Sequence, residues 1–334
     1  MTKFITHRQN CHPPIFRNCH PERKRRTCFS PLLLLVLALT ATTFAQKSPA
    51  THFNGQSAYT LTQQYITAAP KRFVNSPGHL KAEEFIKSHF APEIAKGNFE
   101  TDSFTATNTP IGAVTMRNYI VRYPGKKDGV IVLASHYETN YPLKDINFVG
   151  ANDGGATTAF LIEMGNYLRT HPPQGYSIWL VFDDGEEALQ SWSHTDSLYG
   201  TRHLAAKWSL DGTLSKIKAL MVVDMIGDKS LDIDRDANST PWLEELLGTA
   251  AKNTGHLSAL SREAVAMEDD HLPFKQRGVP VLDLIDYDYG PFDEKTGDHA
   301  FHHTEQDTLD KISPKSLQAT GDIVLELIRL INLR

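Results

Sequence analysis

Apolar residues follow two patterns along the chain, one typical of buried strands and one typical of amphipathic helices. Four short runs are almost continuously apolar, as in parallel strands that are covered on both faces. They span residues 129–135, 176–182, 217–223 and 279–285. A further segment, residues 113–123, alternates between apolar and polar positions, which predicts a partly exposed strand.

Helical periodicity separates these runs. It occurs over residues 58–69, 79–90, 156–169, 200–208, 241–253, 271–276 and 315–333. Strands that alternate with helices predict an α/β fold, here a three-layer, open and mainly parallel sheet with helices on both faces. No internal repeat or Pro/Gly-rich linker divides the pattern, so a single domain over residues 46–334 is the simplest interpretation.

The N-terminal segment differs from the rest of the chain. Four basic residues at positions 23–26 precede an apolar run over residues 31–45, which ends in small residues before Gln46. These are the parts of a secretory signal peptide, and the run is too short to span a bilayer comfortably. We therefore predict that residues 1–45 are a signal peptide and that the protein is exported, either to the periplasm or out of the cell. An uncleaved membrane anchor is the alternative.

Removal of that segment changes the charge and the cysteine content. Of the 34 Lys/Arg and 39 Asp/Glu residues, 27 and 38 remain, so the formal charge becomes −11. We expect no nucleic-acid partner, because such binding needs a basic surface, and no stable membrane insertion after cleavage. All three cysteines, at positions 11, 19 and 28, precede residue 46. The predicted mature chain therefore has no disulfide, thiol nucleophile or thiolate ligand.

Acidic residues and histidines follow the predicted strands at their carboxyl ends, where open α/β sheets bind ligands. Each residue alone could be a solvated loop residue, but all of them fall at one edge of the sheet. Carboxylates and imidazoles that converge there repel one another unless a cation lies between them, and without thiolates such a set suits Zn²⁺ or a similar ion. A late histidine, His302 or His303, could complete it. The strand-end residues are His136, Asp153, Asp183, Asp184, Glu186, Glu187 and Asp224.

Three stretches carry a family resemblance: FDDGEEA at residues 182–188, DSLYG at 196–200 and DDHLPF at 269–274. With them, the chain resembles the zinc aminopeptidase-like (bacterial leucyl aminopeptidase-like) metallopeptidase superfamily over about residues 60–330. Within it, the chain resembles the animal-type glutaminyl cyclases, or glutaminyl-peptide cyclotransferases. The resemblance implies a zinc-exopeptidase-like fold with one Zn²⁺ per chain, bound by Asp153, Glu187 and His303. The implied substrates are peptide or protein N-termini, whose glutamine would become pyroglutamate with release of ammonia.

The same resemblance assigns the remaining site residues. It implies that Glu186 is the general acid and base, that Asp224 and Asp269 support it through hydrogen bonds, and that Trp192 forms a wall of the substrate pocket. Adjacent residues at a strand end point in different directions, so Glu187 can bind metal while Glu186 faces the substrate. A carboxylate near Glu186 would raise its pKa toward neutrality.

Three positions depart from the cyclase pattern. Glu138 stands where the family usually has Asp, Asp283 stands where animal cyclases have a His lining the pocket, and His302 replaces the usual tryptophan before the zinc histidine. These differences concern the orientation of His136 and the fit of the substrate more than metal binding.

Two other functions stay open. In a di-zinc aminopeptidase, His136 and Asp224 would bind a second zinc, Asp153 would bridge the two ions, and Glu186 would activate a water molecule. A non-catalytic binding module is the second alternative. The presence of both Glu186 and Glu187 argues against that module.

Overall fold

The computed structural model describes residues 53–334, and the predicted signal peptide lies outside these residues. A six-stranded sheet forms the centre of the described part, with strand order β1-β2-β4-β3-β5-β8. Strands β4, β3, β5 and β8 run parallel, whereas β1 and β2 are antiparallel at one edge. The strands of this sheet are β1 (Phe99–Ala106), β2 (Val114–Tyr123), β3 (Lys127–His136), β4 (Tyr176–Asp183), β5 (Ile217–Asp224) and β8 (Val281–Ile285).

Helices cover both faces of the sheet, because its buried strands alternate their side chains between two apolar cores. Along β3, Ile131 and Leu133 belong to one core, and Val130 and Val132 belong to the other. The first core packs on most of the helices, including the amphipathic C-terminal helix, whereas the second packs on α5 and the short α7. The helices are α1 (Gly55–Ala68), α2 (Pro77–His89), α3 (Ala91–Ala95), α4 (Thr157–Thr170), α5 (Tyr199–Leu210), α6 (Pro241–Thr254), α7 (Leu272–Lys275) and α8 (Pro314–Leu333).

The predicted three-layer α/β architecture is confirmed, and each predicted run corresponds to a strand of the sheet. The sequence pattern missed the edge strand β1 and two small two-stranded sheets. These are β6 (Ile233–Asp236) with β7 (Leu260–Val265), and β9 (Phe292–Asp293) with β10 (Asp298–His299). All described residues belong to one compact unit. Among residues 53–334, no helix has both the length and the apolar character that a membrane span requires.

Candidate active site

Asp153 is carried by an irregular turn, Ala151–Ala156, which leads directly into α4. Gly150 (φ 56°, ψ 55°) and Gly154 (φ 70°) both adopt left-handed backbone conformations that favour glycine. At Gly154, a Cβ atom would lie only 2.7 Å from the carbonyl oxygen of Glu138, in the chain that follows β3. The glycines therefore allow the turn to curl tightly against the carboxyl end of β3 and to hold Asp153 there.

The three predicted zinc ligands lie together at this edge of the sheet. His303 Nε2 is 3.3 Å from Asp153 Oδ2 and 3.1 Å from Glu187 Oε1. One donor atom from each residue lies within 4.8 Å of the other two. Both carboxylates are buried, whereas the histidine side chain is about one-third exposed. The cluster is therefore open to the pocket on its histidine side.

The donor set of this cluster fits a zinc ion. Two carboxylates and one imidazole are three of the ligands that Zn²⁺ accepts in catalytic sites, where a fourth position stays open. Asp153 Oδ2 is buried, and no donor approaches it with hydrogen-bond geometry although His303 Nε2 lies 3.3 Å away. Such an oxygen is costly to bury unless a cation lies beside it. Although burial alone would raise the pKa of Asp153, the neighbouring imidazoles of His136 and His303 hold that pKa well below its usual range.

Glu186 lies beside the ligand cluster and lines the same pocket. Burial raises the pKa of its carboxyl well above the usual range. His136 opposes that shift, whereas the carboxylates of Glu187 and Asp269 reinforce it. A carboxyl group with a raised pKa can both accept and return a proton near neutral pH, which is the property that acid–base catalysis requires.

Asp224 and Asp269 line the same pocket as Glu186, Asp224 from the end of a strand and Asp269 from the loop before α7. Asp224 is the last residue of β5, and its Oδ1 is 3.4 Å from His136 Nε2. Burial, followed by the charges of Asp270 and Asp224, raises the pKa of Asp269 well above its usual range. Adjacent negative charges in a buried site repel one another, and this repulsion favours the protonated form of Asp269.

A pocket of about 500 Å³ opens above these carboxylates. Trp192 stands at its mouth with 41% of its surface exposed, and its Nε1 donates a hydrogen bond to Glu268 Oε2 (3.3 Å). His302 lines the pocket beside the ligand cluster, where its ring stacks on that of His303 with centroids 4.1 Å apart. The walls are completed by Met225, Val265, Met267, Ile285 and Tyr287.

The DSLYG stretch shapes the turn that carries Trp192. Asp196 Oδ1 accepts the N–H of Leu189 (3.0 Å), and its Oδ2 accepts those of Gln190 (2.9 Å) and Ser191 (2.9 Å). The Tyr199 hydroxyl donates to the same carboxylate at 2.8 Å. These contacts fix the backbone of residues 189–191, which precede Trp192. They also explain why an acidic residue and a tyrosine occur three residues apart.

Comparisons with known proteins identify the family of this chain. The sequence profile of peptidase family M28 matches residues 118–328. The chain belongs to peptidase family M28. Its relatives in the family include bovine glutaminyl-peptide cyclotransferase, which is 30% identical over 294 residues, with 78% of this chain and 79% of the relative covered. A bovine glutaminyl-peptide cyclotransferase-like protein is 31% identical over 242 residues, which cover 64% of this chain and 62% of that protein.

A solved structure gives a nearer comparison within the M28 fold. The crystal structure of a glutaminyl cyclase from an Acidobacteriales bacterium is 73% identical and superposes with a TM-score of 0.84. The match covers 87% of this chain and all of that one. The resemblance to glutaminyl cyclases that the motifs predicted is therefore confirmed.

The candidate active site of this M28 chain also brings together the residues of the alternative second-metal set. His136 Nε2 is 3.2 Å from Asp153 Oδ1 and 3.4 Å from Asp224 Oδ1. Both ring nitrogens of His136 are buried, and none of these contacts has the geometry of a hydrogen bond. The distances therefore accommodate either a one-metal or a two-metal arrangement.

The three departures from the cyclase pattern lie at different depths. Glu138 Oε1 accepts the backbone N–H of Glu187 (3.1 Å), and its Oε2 is 3.9 Å from His136 Nδ1. It therefore contacts one residue of each predicted metal-ligand set. Asp283 is fully buried rather than lining the pocket, and its Oδ2 is 3.4 Å from His271 Nδ1. His302 is the departure that reaches the pocket.

Sequence reasoning missed several residues that support the M28 site. Asn140 donates from Nδ2 to Glu187 Oε2 at 2.6 Å. Arg72 and Asp307 bond to the backbone of the turn that carries Asp153. The position of Asn140, soon after a buried strand, was an available signal for the first contact. Bonds to backbone atoms from distant segments leave no periodic signal, so the other two were not predictable from spacing.

Proposed function

We propose that this protein is a zinc-dependent glutaminyl-peptide cyclotransferase, which converts the N-terminal glutamine of peptides or proteins into pyroglutamate and releases ammonia. The observation that carries the proposal is the buried Glu186, with its raised pKa, beside the cluster of Asp153, Glu187 and His303. The 73% identity to a glutaminyl cyclase of known structure supports the same reaction.

One zinc ion per chain would be held by Asp153, Glu187 and His303. When bound, the ion supplies Lewis-acid chemistry, because it polarises the γ-carboxamide oxygen of the substrate and stabilises the negative charge that develops there. Asn140 holds the Glu187 carboxylate through its hydrogen bond to Oε2, so that Oε1 faces His303. Orientation of a ligand by such a partner is a usual feature of metal sites in proteins.

Glu186 moves the proton of the reaction. As the α-amine nitrogen forms a bond to the γ-carbon, Glu186 accepts a proton from that nitrogen. It then donates the proton to the amide nitrogen as the old carbon–nitrogen bond breaks, and ammonia leaves. Asp269 and Asp224 hold Glu186 in an acidic, buried environment, in which its proton affinity suits both steps.

Trp192 gives the pocket an aromatic wall. A flat apolar ring at the mouth of the pocket excludes water from the bound glutamine, which favours ring closure over hydrolysis. The α-amine and the γ-carboxamide belong to the same residue, so a pocket that holds the side chain folded brings the reacting atoms together at little further entropic cost.

A di-zinc aminopeptidase is the second candidate, favoured by the close contacts of His136 with Asp153 and Asp224. The two functions differ in product and in metal content. We expect the purified protein to contain about one zinc per chain and to release ammonia from Gln-initiated peptides. Two tightly bound zinc ions, with release of free residues from Leu- or Ala-initiated peptides and no ammonia, would establish the aminopeptidase instead. Absence of both activities in zinc-loaded protein would leave a binding module.

The ligand set has a direct test in His303→Ala. This change removes the imidazole that contacts both carboxylates of the cluster, so we expect most of the zinc to be lost. His203→Ala is a matched control, because His203 stacks on Phe104 and contacts Asp102 instead of the cluster. Metal analysis after dialysis measures the result, and a full zinc content in His303→Ala would remove His303 from the ligand set.

We also propose that residues 1–45 are removed as a signal peptide and that residues 46–334 act as one exported catalytic domain. The sequence pattern at positions 23–45 and the acidic charge of the remainder support this arrangement. The partners would be peptide or protein N-termini, with no nucleic acid and no stable membrane insertion after cleavage.

A further inference from the structure

Arg72 is fully buried and donates four hydrogen bonds to backbone carbonyls. It lies between α1 and α2, far in sequence from these four carbonyl groups. Its Nε bonds to the oxygen of Tyr137 (3.0 Å) and its Nη1 to that of Val149 (2.8 Å). Its Nη2 bonds to the oxygens of Gly150 (2.6 Å) and Asp153 (2.9 Å). One guanidinium thus connects the end of β3 to the turn that carries a proposed zinc ligand.

The turn is closed tightly around this guanidinium. A Cβ at Gly150 would lie 2.7 Å from the oxygen of Asp153 and 3.0 Å from Arg72 Nη2. Carbonyl oxygens that converge in this way repel one another unless a donor lies between them. A guanidinium supplies five N–H groups in a fixed fork, whereas a lysine ammonium supplies a single point of charge that cannot reach all four oxygens.

A second contact holds the same turn from its N–H side. Asp307 is fully buried and accepts the backbone N–H of Asn152 at Oδ1 (2.8 Å) and that of Asp153 at Oδ2 (3.1 Å). The Tyr289 hydroxyl donates to Asp307 Oδ1 at 2.7 Å and orients it. The backbone of Asp153 is therefore fixed on both sides, by Asp307 at its N–H and by Arg72 at its carbonyl.

We propose that Arg72 is a positioning residue for the metal site, which keeps the turn closed so that the Asp153 carboxylate stays beside Glu187 and His303. The inference rests on the proposed zinc site, and it concerns zinc affinity rather than the proton transfer. Arg72 contacts neither the ligand atoms nor the pocket, so its effect acts through the backbone of Asp153.

The test is Arg72→Lys, which keeps the positive charge and removes the fork. We expect its zinc dissociation constant, measured by competition with a chromogenic chelator, to rise by about 10- to 100-fold, the usual effect of removing a group that orients a metal ligand. We expect turnover of a Gln-initiated peptide to approach the wild-type value at saturating zinc, because the residues that touch the substrate are unchanged. A purely structural loss of folded protein would not be restored in this way.

Arg169→Lys is the matched control. Arg169 is partly buried and, like Arg72, donates several hydrogen bonds. Its acceptors include both oxygens of Glu93 in α3 and the carbonyl of His89 in α2, which do not belong to the ligand cluster. We expect this change to lower the thermal midpoint without a change in zinc affinity. Comparison of the two variants separates a general loss of stability from a specific effect on the metal site.

The outcomes distinguish this inference from the proposed function. A wild-type protein that binds no zinc would overturn the proposed metal site and this inference with it. A zinc-binding wild type together with an Arg72→Lys variant of unchanged zinc affinity would overturn the inference alone. Should Arg72→Lys fail to fold, the zinc affinity of Asp307→Asn tests the inference instead, because this change weakens the hydrogen bonds on the opposite side of the same turn. A weaker zinc affinity supports positioning through the turn, and an unchanged affinity overturns it.

Discussion

Glu186 and Glu187 are neighbours in the chain to which we assign separate tasks, and a substitution at each tests that proposal. Glu187 contacts His303 and Asn140, whereas Glu186 lines the pocket with a pKa raised by burial. Glu186→Gln keeps the shape but cannot accept a proton. We expect zinc content to stay near the wild-type value while turnover of a Gln-initiated peptide, followed by ammonia release, falls roughly 100-fold or more.

Glu187→Gln is the paired variant at the residue scale. A neutral amide is a poorer zinc ligand than a carboxylate, so here we expect the zinc affinity to fall. An imidazole inhibitor that binds the metal should retain its affinity for Glu186→Gln and lose it for Glu187→Gln. Full activity in Glu186→Gln would show that another group moves the proton, and the assignment of the neighbouring carboxylates would have to change with it.

At the scale of elements, the sequence predicted the buried strands and the edge of the sheet where the candidate site lies. The continuous apolar runs identified β3, β4, β5 and β8, because a strand covered on both faces must be apolar at every position. Strand β1 was missed because its sequence, FETDSFTA, is largely polar and exposed at the edge of the sheet. The site residues at strand ends were predictable for the same topological reason. Arg72 was not, because its partners are backbone carbonyls that any sequence supplies.

The turn before Trp192 gives a prediction at the same scale. Asp196→Ala removes the acceptor of three backbone N–H groups and of the Tyr199 hydroxyl. Loss of such a buried acceptor costs about 1–3 kcal/mol, so the turn should open and the tryptophan wall should move. We expect a raised KM for Gln-initiated peptides with an unchanged zinc content. Tyr199→Phe, which removes one donor only, should have a smaller effect, and an unchanged KM in Asp196→Ala would show that Trp192 does not depend on this turn.

For the whole molecule, the prediction with the widest consequence concerns the cleavage of the signal peptide and the export of the remaining chain. The basic and apolar pattern over residues 23–45 predicts cleavage near Gln46, and the three cysteines precede that point. The mature protein would then contain no cysteine, so an oxidising compartment could form no disulfide in it and would oxidise no thiol near the proposed zinc site. N-terminal sequencing of protein from the periplasmic or secreted fraction should begin near residue 46. A charge-neutral variant of positions 23–26 should reduce export, since the basic segment directs insertion. An intact Met1 in the membrane fraction would identify the apolar run as an anchor, and the catalytic domain would then act while tethered to the membrane.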